Sequence, residues 1–245
     1  MKINVFKSAD EVLSGLAEYF VETANQSIKG KGKFSVALSG GSSPKKLYEL
    51  LASDAFKNRV DWNHVYFFFG DERNVPHTHA DSNYLMAKTA LFAPLNIQES
   101  HVFPVDTALS PEAAAEKYTQ EILAFFGSED LRFDLVLLGL GDNSHTASLF
   151  PYTPVLHDKT ASVKSVFLQD QQVFRITLTA PLINKAFNIA YLVYGEGKAI
   201  AVHHIIEDEE DIDNYPAQLI IPEEGGDLQW FLDEPAASEL SHKSA

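Results

Sequence analysis

The stretches VYFFF (65–69) and DLVLLGL (134–140) are apolar on both faces. A strand keeps that pattern when helices cover it from both sides, as in parallel or mostly parallel sheets. Further short runs rich in β-formers are FSVALSG (34–40), VKSVFLQ (163–169), FRITLT (174–179), IAYLVYG (189–195) and AQLII (217–221). Between the runs, 3.6-residue patterns at 8–28, 43–53, 110–126, 179–188 and 196–206 predict helices. Ser8 and Ser110 are suited to cap the first and third of these, and Pro111 and Pro181 fit first turns. No Gly/Ser/Pro-rich linker and no internal repeat divides the chain. The pattern predicts one domain over residues 1–245, a doubly wound α/β fold with a mostly parallel sheet of about seven strands.

Composition removes several function classes. No apolar run approaches the roughly 20 residues that cross a bilayer. The opening MKINVFKSADEVLSGLAEYF carries acids and helical spacing, unlike a secretory signal. Cysteine is absent, which excludes disulfides, thiolate catalysis and cysteine-ligated zinc. A cytoplasmic enzyme fits these features. The formal net charge is -15, and -11 of it comes from residue 205 onward. Nucleic acid and anionic membranes are therefore poor partners. The run EDEEDID (207–213) reads as a solvated loop.

Three segments carry chemistry. In VALSGGSSPKKLYELL (36–51) a strand ends and Ser39, Gly40, Gly41, Ser42 and Ser43 lead to a helix at Pro44. Free N–H groups at a helix start, with the helix dipole, suit a phosphate. The Walker spacing is missing, so this is no P-loop. In FFFGDERNVPHTHADSNY (67–84) an apolar strand delivers Asp71, Glu72 and Arg73 to its carboxyl end. Alone, that trio reads as a structural ion pair; its place at a strand end, beside the loop after Gly40, raises the reading as acid/base groups. His77, His79 and Asp81 are poor metal candidates, because loop H-x-H pairs are common and no further ligand has a fixed spacing. In GLGDNSHTASLFP (139–151) the spacing nearly matches a dinucleotide fingerprint, but Ser144 replaces the last glycine and the segment falls late in the chain. His145 at that strand tip is either a capping histidine or a general base.

Together, LSGGSSP, GDERNVPHTHADSN, GLGDNSHTASLFP, RITLTAPLIN and YGEGKA resemble, in order and spacing, the 6-phosphogluconolactonases and, more distantly, the glucosamine-6-phosphate deaminases. The resemblance covers nearly the whole chain. It implies a Rossmann-like three-layer α/β/α sandwich, no cofactor or metal, and hydrolysis of 6-phospho-D-glucono-1,5-lactone in the oxidative pentose phosphate pathway. It implies a small phosphosugar lactone as the partner, and a monomer or homodimer. It further implies His145 as the base, with backbone N–H groups or Arg73 as the oxyanion donor, and Arg175 and Lys198 as cations for a phosphate held on Gly40–Ser43. The family pattern G-x-G-x-D-G-H is broken here: Asn143 stands where Asp is expected and Ser144 where Gly is expected, with Asp142 one residue out of register. Two other readings stand beside lactone hydrolysis. One is an amino-sugar phosphate deaminase/isomerase with Asp71 as the carboxylate base. The other is a sugar-phosphate-binding protein without catalysis, which Asn143 would suit.

Overall fold

The computed structural model describes residues 1–127 and 131–241. In chain order the elements begin β1 (Lys2–Phe6), α1 (Ala9–Lys31), β2 (Phe34–Leu38), α2 (Ser42–Leu51), β3 (Val65–Phe69) and β4 (Asp71–Arg73). Next, α3 (Asn83–Ala87) runs through a π-helical turn at Lys88–Phe92 into α4 (Ala93–Leu95), followed by α5 (Pro111–Phe126). The second half contains β5 (Leu135–Leu138), β6 (Val163–Leu168), β7 (Val173–Leu178), α6 (Ala180–Asn184), β8 (Asn188–Val193), α7 (Ala199–Ile206) and β9 (Asp227–Asp233). The caps read from the sequence form: Ser8 accepts the Glu11 N–H and Ser110 the Ala113 N–H.

Six strands make an all-parallel sheet in the order β1-β9-β8-β5-β2-β3. Side chains alternate across it with the strand period of two. Val36, Leu38, Phe67, Phe69, Leu135 and Leu137 pack under α1, α2 and the 83–95 helical segment. Ala37, Phe68, Val136 and Leu138 pack on the other face with α5, α6 and α7. This is the three-layer α/β/α arrangement, and it explains why β3 and β5 are apolar at every position.

The sheet differs from the expected seven-strand one in three ways. VKSVFL and VFRITL form an antiparallel pair, and with β4 they make a separate three-stranded sheet, β4-β7-β6. Their connection, residues 169–172, is short enough for a hairpin and too short for a crossover. AQLII is no strand: Pro216–Leu219 is a 3-10 turn. Pro216 lacks an N–H for a ladder, and the Ala217 N–H is taken by the Ser144 carbonyl. Two strands, β1 and β9, emerge from segments without a strong strand signature; β1 is an edge strand with no fully buried residue.

Candidate functional site

The strand order reverses direction between β2 and β5, since β3 lies outside the first and β8 outside the second. In open α/β sheets the ligand crevice lies at the carboxyl ends of such a pair. The loops that begin at Ser39 and Gly139 therefore flank one cavity of about 370 Å³.

The first loop is held at its base by Tyr48, whose hydroxyl accepts the Ser39 N–H and donates to the Ser39 carbonyl. Burial raises the Tyr48 hydroxyl well above its ordinary pKa, so it stays a donor. Gly41 has φ 107°, a conformation that favours glycine. Helix α2 starts at Ser42, two residues before the expected Pro44, and no side chain caps it. Ser42 and Ser43 thus occupy the first turn and line the cavity, where an anion would meet their N–H groups.

The second loop is tightly wound. The Gly141 N–H donates to the His145 carbonyl, the Ser144 N–H to the Gly141 carbonyl, and Thr146 Oγ1 to the Gly139 carbonyl. A side chain at 141 would run into the His145 ring, so the glycine lets the two approach. Ser144 (φ 61°), Ala147 (φ 47°) and Tyr152 (φ 59°) are left-handed without being glycine. Backbone strain of this kind persists where the surroundings over-determine it, often at functional sites.

His145 stacks on Phe150, with ring centroids 3.9 Å apart and planes 15° from parallel. Its Nδ1 lies 2.5 Å from Asn143 Oδ1. An amide oxygen only accepts, so Nδ1 carries the hydrogen and the Nε2 lone pair is left as the basic site. Burial pushes the imidazole down to about 4, and Lys198 and Arg175 act in the same direction against the opposing Asp71 and Asp142. The ring is therefore neutral throughout the neutral range. The shift carries a stability consequence. The unfolded ring takes a proton near 6.5 and the folded one near 4. This contribution is present above pH 6.5 and is lost as the pH falls towards 4.

The opposite wall is cationic. The β4–β7 register sets Arg73 directly across from Arg175. Like charges in that position repel, and burial followed by Arg73 lowers the Arg175 pKa. Arg73 Nη1 donates to the Asp81 carbonyl and to Asn83 Oδ1, and Arg175 Nη2 donates to Gln171 Oε1. The Nε atoms of both arginines are buried without a partner. Two guanidinium groups set across from one another on the wall of one cavity suit an anion. Asp71, the negative group between these walls, accepts from Ser148 Oγ at 2.6 Å and more weakly from Asn83 Nδ2 at 3.4 Å. Lys198, at the start of α7, pairs with Asp142 at 2.5 Å.

Ser39, Gly40, Gly41, Ser42, Ser43, Asp71, Arg73, His145, Arg175 and Lys198 all line this cavity, and Asn143 stands against the His145 ring. Glu72 points elsewhere. It is fully buried and accepts the N–H groups of Arg73, Asn83 and Tyr84 and the Ser82 hydroxyl. Burial raises its pKa against those donors, and it serves the loop rather than the cavity. His77 Nε2 bonds the Val105 carbonyl, and His79 lies beside Asp81. Among the described residues no group of three His, Asp or Glu side chains could hold a metal ion. Sequence reasoning did not single out Asn83, Ser148, Phe150 and Gln171. The first three lie inside quoted motifs, where only pairing in space distinguishes them; Gln171, in the 169–172 connection, carries no signal at all.

Residues 7–230 match the family model described as glucosamine-6-phosphate isomerases/6-phosphogluconolactonase. A 6-phosphogluconolactonase of Synechocystis sp. is 42% identical over 221 residues, covering 88% of each chain. The solved 6-phosphogluconolactonase of Trypanosoma cruzi superposes with a TM-score of 0.85 at 32% identity, covering 98% of this chain and 97% of that one. A monomeric glucosamine-6-phosphate deaminase shares the fold at 20% identity, with a TM-score of 0.82 over 98% of this chain and 100% of that one. With 224 of its residues inside the family model and 42% identity to a relative matched over 88% of its length, this chain belongs to the glucosamine-6-phosphate isomerase/6-phosphogluconolactonase family.

Proposed function

We propose that this protein hydrolyses 6-phospho-D-glucono-1,5-lactone to 6-phosphogluconate, with His145 as general base. The observation that carries the reading is the shared cavity. A neutral histidine with a free Nε2 faces the same space as the two arginines, Arg73 and Arg175, and an uncapped helix start. The phosphate would rest on Gly40–Ser43 with Arg175 and Lys198, which fixes the lactone carbonyl relative to His145. His145 Nε2 takes a proton from water as the water oxygen bonds to C1. Arg73 stabilises the negative charge that develops on the carbonyl oxygen. As the intermediate collapses, the C1–O5 bond breaks, and the imidazolium returns its proton to O5. Asp71, close enough to favour the charged ring, supports the imidazolium. Asn143 holds the productive tautomer.

The deaminase reading has less support. Both Asp71 carboxylate oxygens already accept hydrogen bonds, from Ser148 and Asn83, whereas His145 Nε2 makes none among the described residues. The test is a lactonase assay coupled to 6-phosphogluconate dehydrogenase, run beside an assay on glucosamine-6-phosphate. Turnover of the lactone above its spontaneous rate, without deamination, is the expected outcome. Phosphosugar binding with no turnover of either would identify a binding protein instead.

Two variants refine the assignment. Arg175→Ala should raise KM for the phosphorylated lactone by about tenfold, the value of one charge-assisted contact. Equal KM values for variant and parent would remove Arg175 from the phosphate site. Asn143→Asp places a carboxylate where the amide now meets Nδ1. A negative charge there favours the imidazolium, so the inflection in the pH–rate profile should move to higher pH. An inflection that stays put would mean that residue 143 and His145 do not couple.

A further inference from the structure

The three cations on the cavity wall are not equally available. Arg73 and Arg175 meet neutral partners: a carbonyl, an amide of Asn83 and the amide of Gln171. Lys198 is different. Its ammonium pairs at 2.5 Å with the carboxylate of Asp142, the residue out of register with the family pattern, three positions before His145. The Asp142 side chain is 80% exposed and the Lys198 side chain 30%. An ion pair with so much solvent around it is weak and exchangeable.

We propose that Asp142 is an internal competitor for the substrate's phosphoryl group, occupying Lys198 in the empty site and yielding it when a phosphate dianion enters. The proposal rests on the reading of Lys198 as a phosphate-binding group. A dianion with the guanidinium groups of Arg73 and Arg175 and free helix N–H groups at hand outcompetes a lone, solvated carboxylate for the ammonium. The carboxylate must be displaced before Lys198 can serve the phosphate, and this lowers the affinity for phosphorylated ligands. A lactone without the phosphate makes no demand on Lys198 and escapes the competition. Asp142 therefore determines how strongly the site favours the phosphorylated lactone over the plain one, and it eases release of the phosphorylated product.

Asp142→Asn keeps the shape and removes the charge, at an exposed position where folding is not at stake. Two quantities report on the competition. One is the inhibition constant of inorganic phosphate. The other is the KM for the phosphorylated lactone divided by that for glucono-1,5-lactone. Both should fall threefold to tenfold in Asp142→Asn. In a Lys198→Met background the same change should alter them less than twofold. A rise in both would overturn the proposal and make Asp142 a positioning residue for Lys198. No change in Asp142→Asn, with phosphate inhibition weakened in Lys198→Met, would overturn the competition alone and leave Lys198 at the phosphate. Undiminished phosphate inhibition in Lys198→Met would overturn both.

Discussion

His145→Ala should lower kcat by about 10²–10⁴-fold, the contribution of a positioned general base. KM should change little, because the cationic wall and the Gly40–Ser43 loop do not depend on the imidazole. The fold should survive as well. His145 leaves Nε2 without a hydrogen bond among the described residues, and its ring packs chiefly on Phe150. A steady-state comparison of kcat and KM, with a thermal melt as control, checks all three points. A fully active variant would reduce His145 to a loop residue.

The second large effect concerns stability. Glu72→Ala should destabilise the protein by about 3–5 kcal/mol, because three backbone N–H groups and one hydroxyl lose their acceptor inside the protein. For a chain of this length that is a Tm fall of roughly 10 °C. Activity should fall too. The Glu72 carboxylate anchors the start of α3, and Asn83 at that start bonds both Arg73 and Asp71. Glu72→Gln keeps one oxygen and should lose less. An unchanged melting temperature for Glu72→Ala would mean that this loop does not need its buried carboxylate.

Local chemistry made much of this molecule readable before its structure. The strands apolar at every position, the serine caps and the Gly-rich turn each act over a few residues, and each appears where the sequence puts it. The misreadings arise where strand composition alone does not decide. VKSVFL and FRITLT have ordinary strand character, and only the short connection between them decides for a hairpin and a second sheet. AQLII has the composition of a strand, yet Pro216 and the Ser144 carbonyl hold it as a turn. The site shows the same division. Residue types and motif order pointed to His145, Arg73 and Arg175. That Arg73 and Arg175 sit face to face with orphaned Nε atoms follows from a β4–β7 register that no local pattern encodes. The depressed pKa of His145 is likewise invisible in sequence, because it comes from burial in the folded loop.

The central claim is that His145 acts as a neutral base through Nε2, and the pH dependence of kcat/KM addresses it most directly. That quantity reports the free enzyme. With the imidazole held down to about 4, the profile should show, besides the step at about pH 6 that belongs to the substrate's own phosphate, a further fall through an inflection near 4. The residual activity of His145→Ala should lack that inflection. The same inflection persisting in His145→Ala would contradict the account and transfer the proton to another group of the cavity, with Asp71 the first to examine.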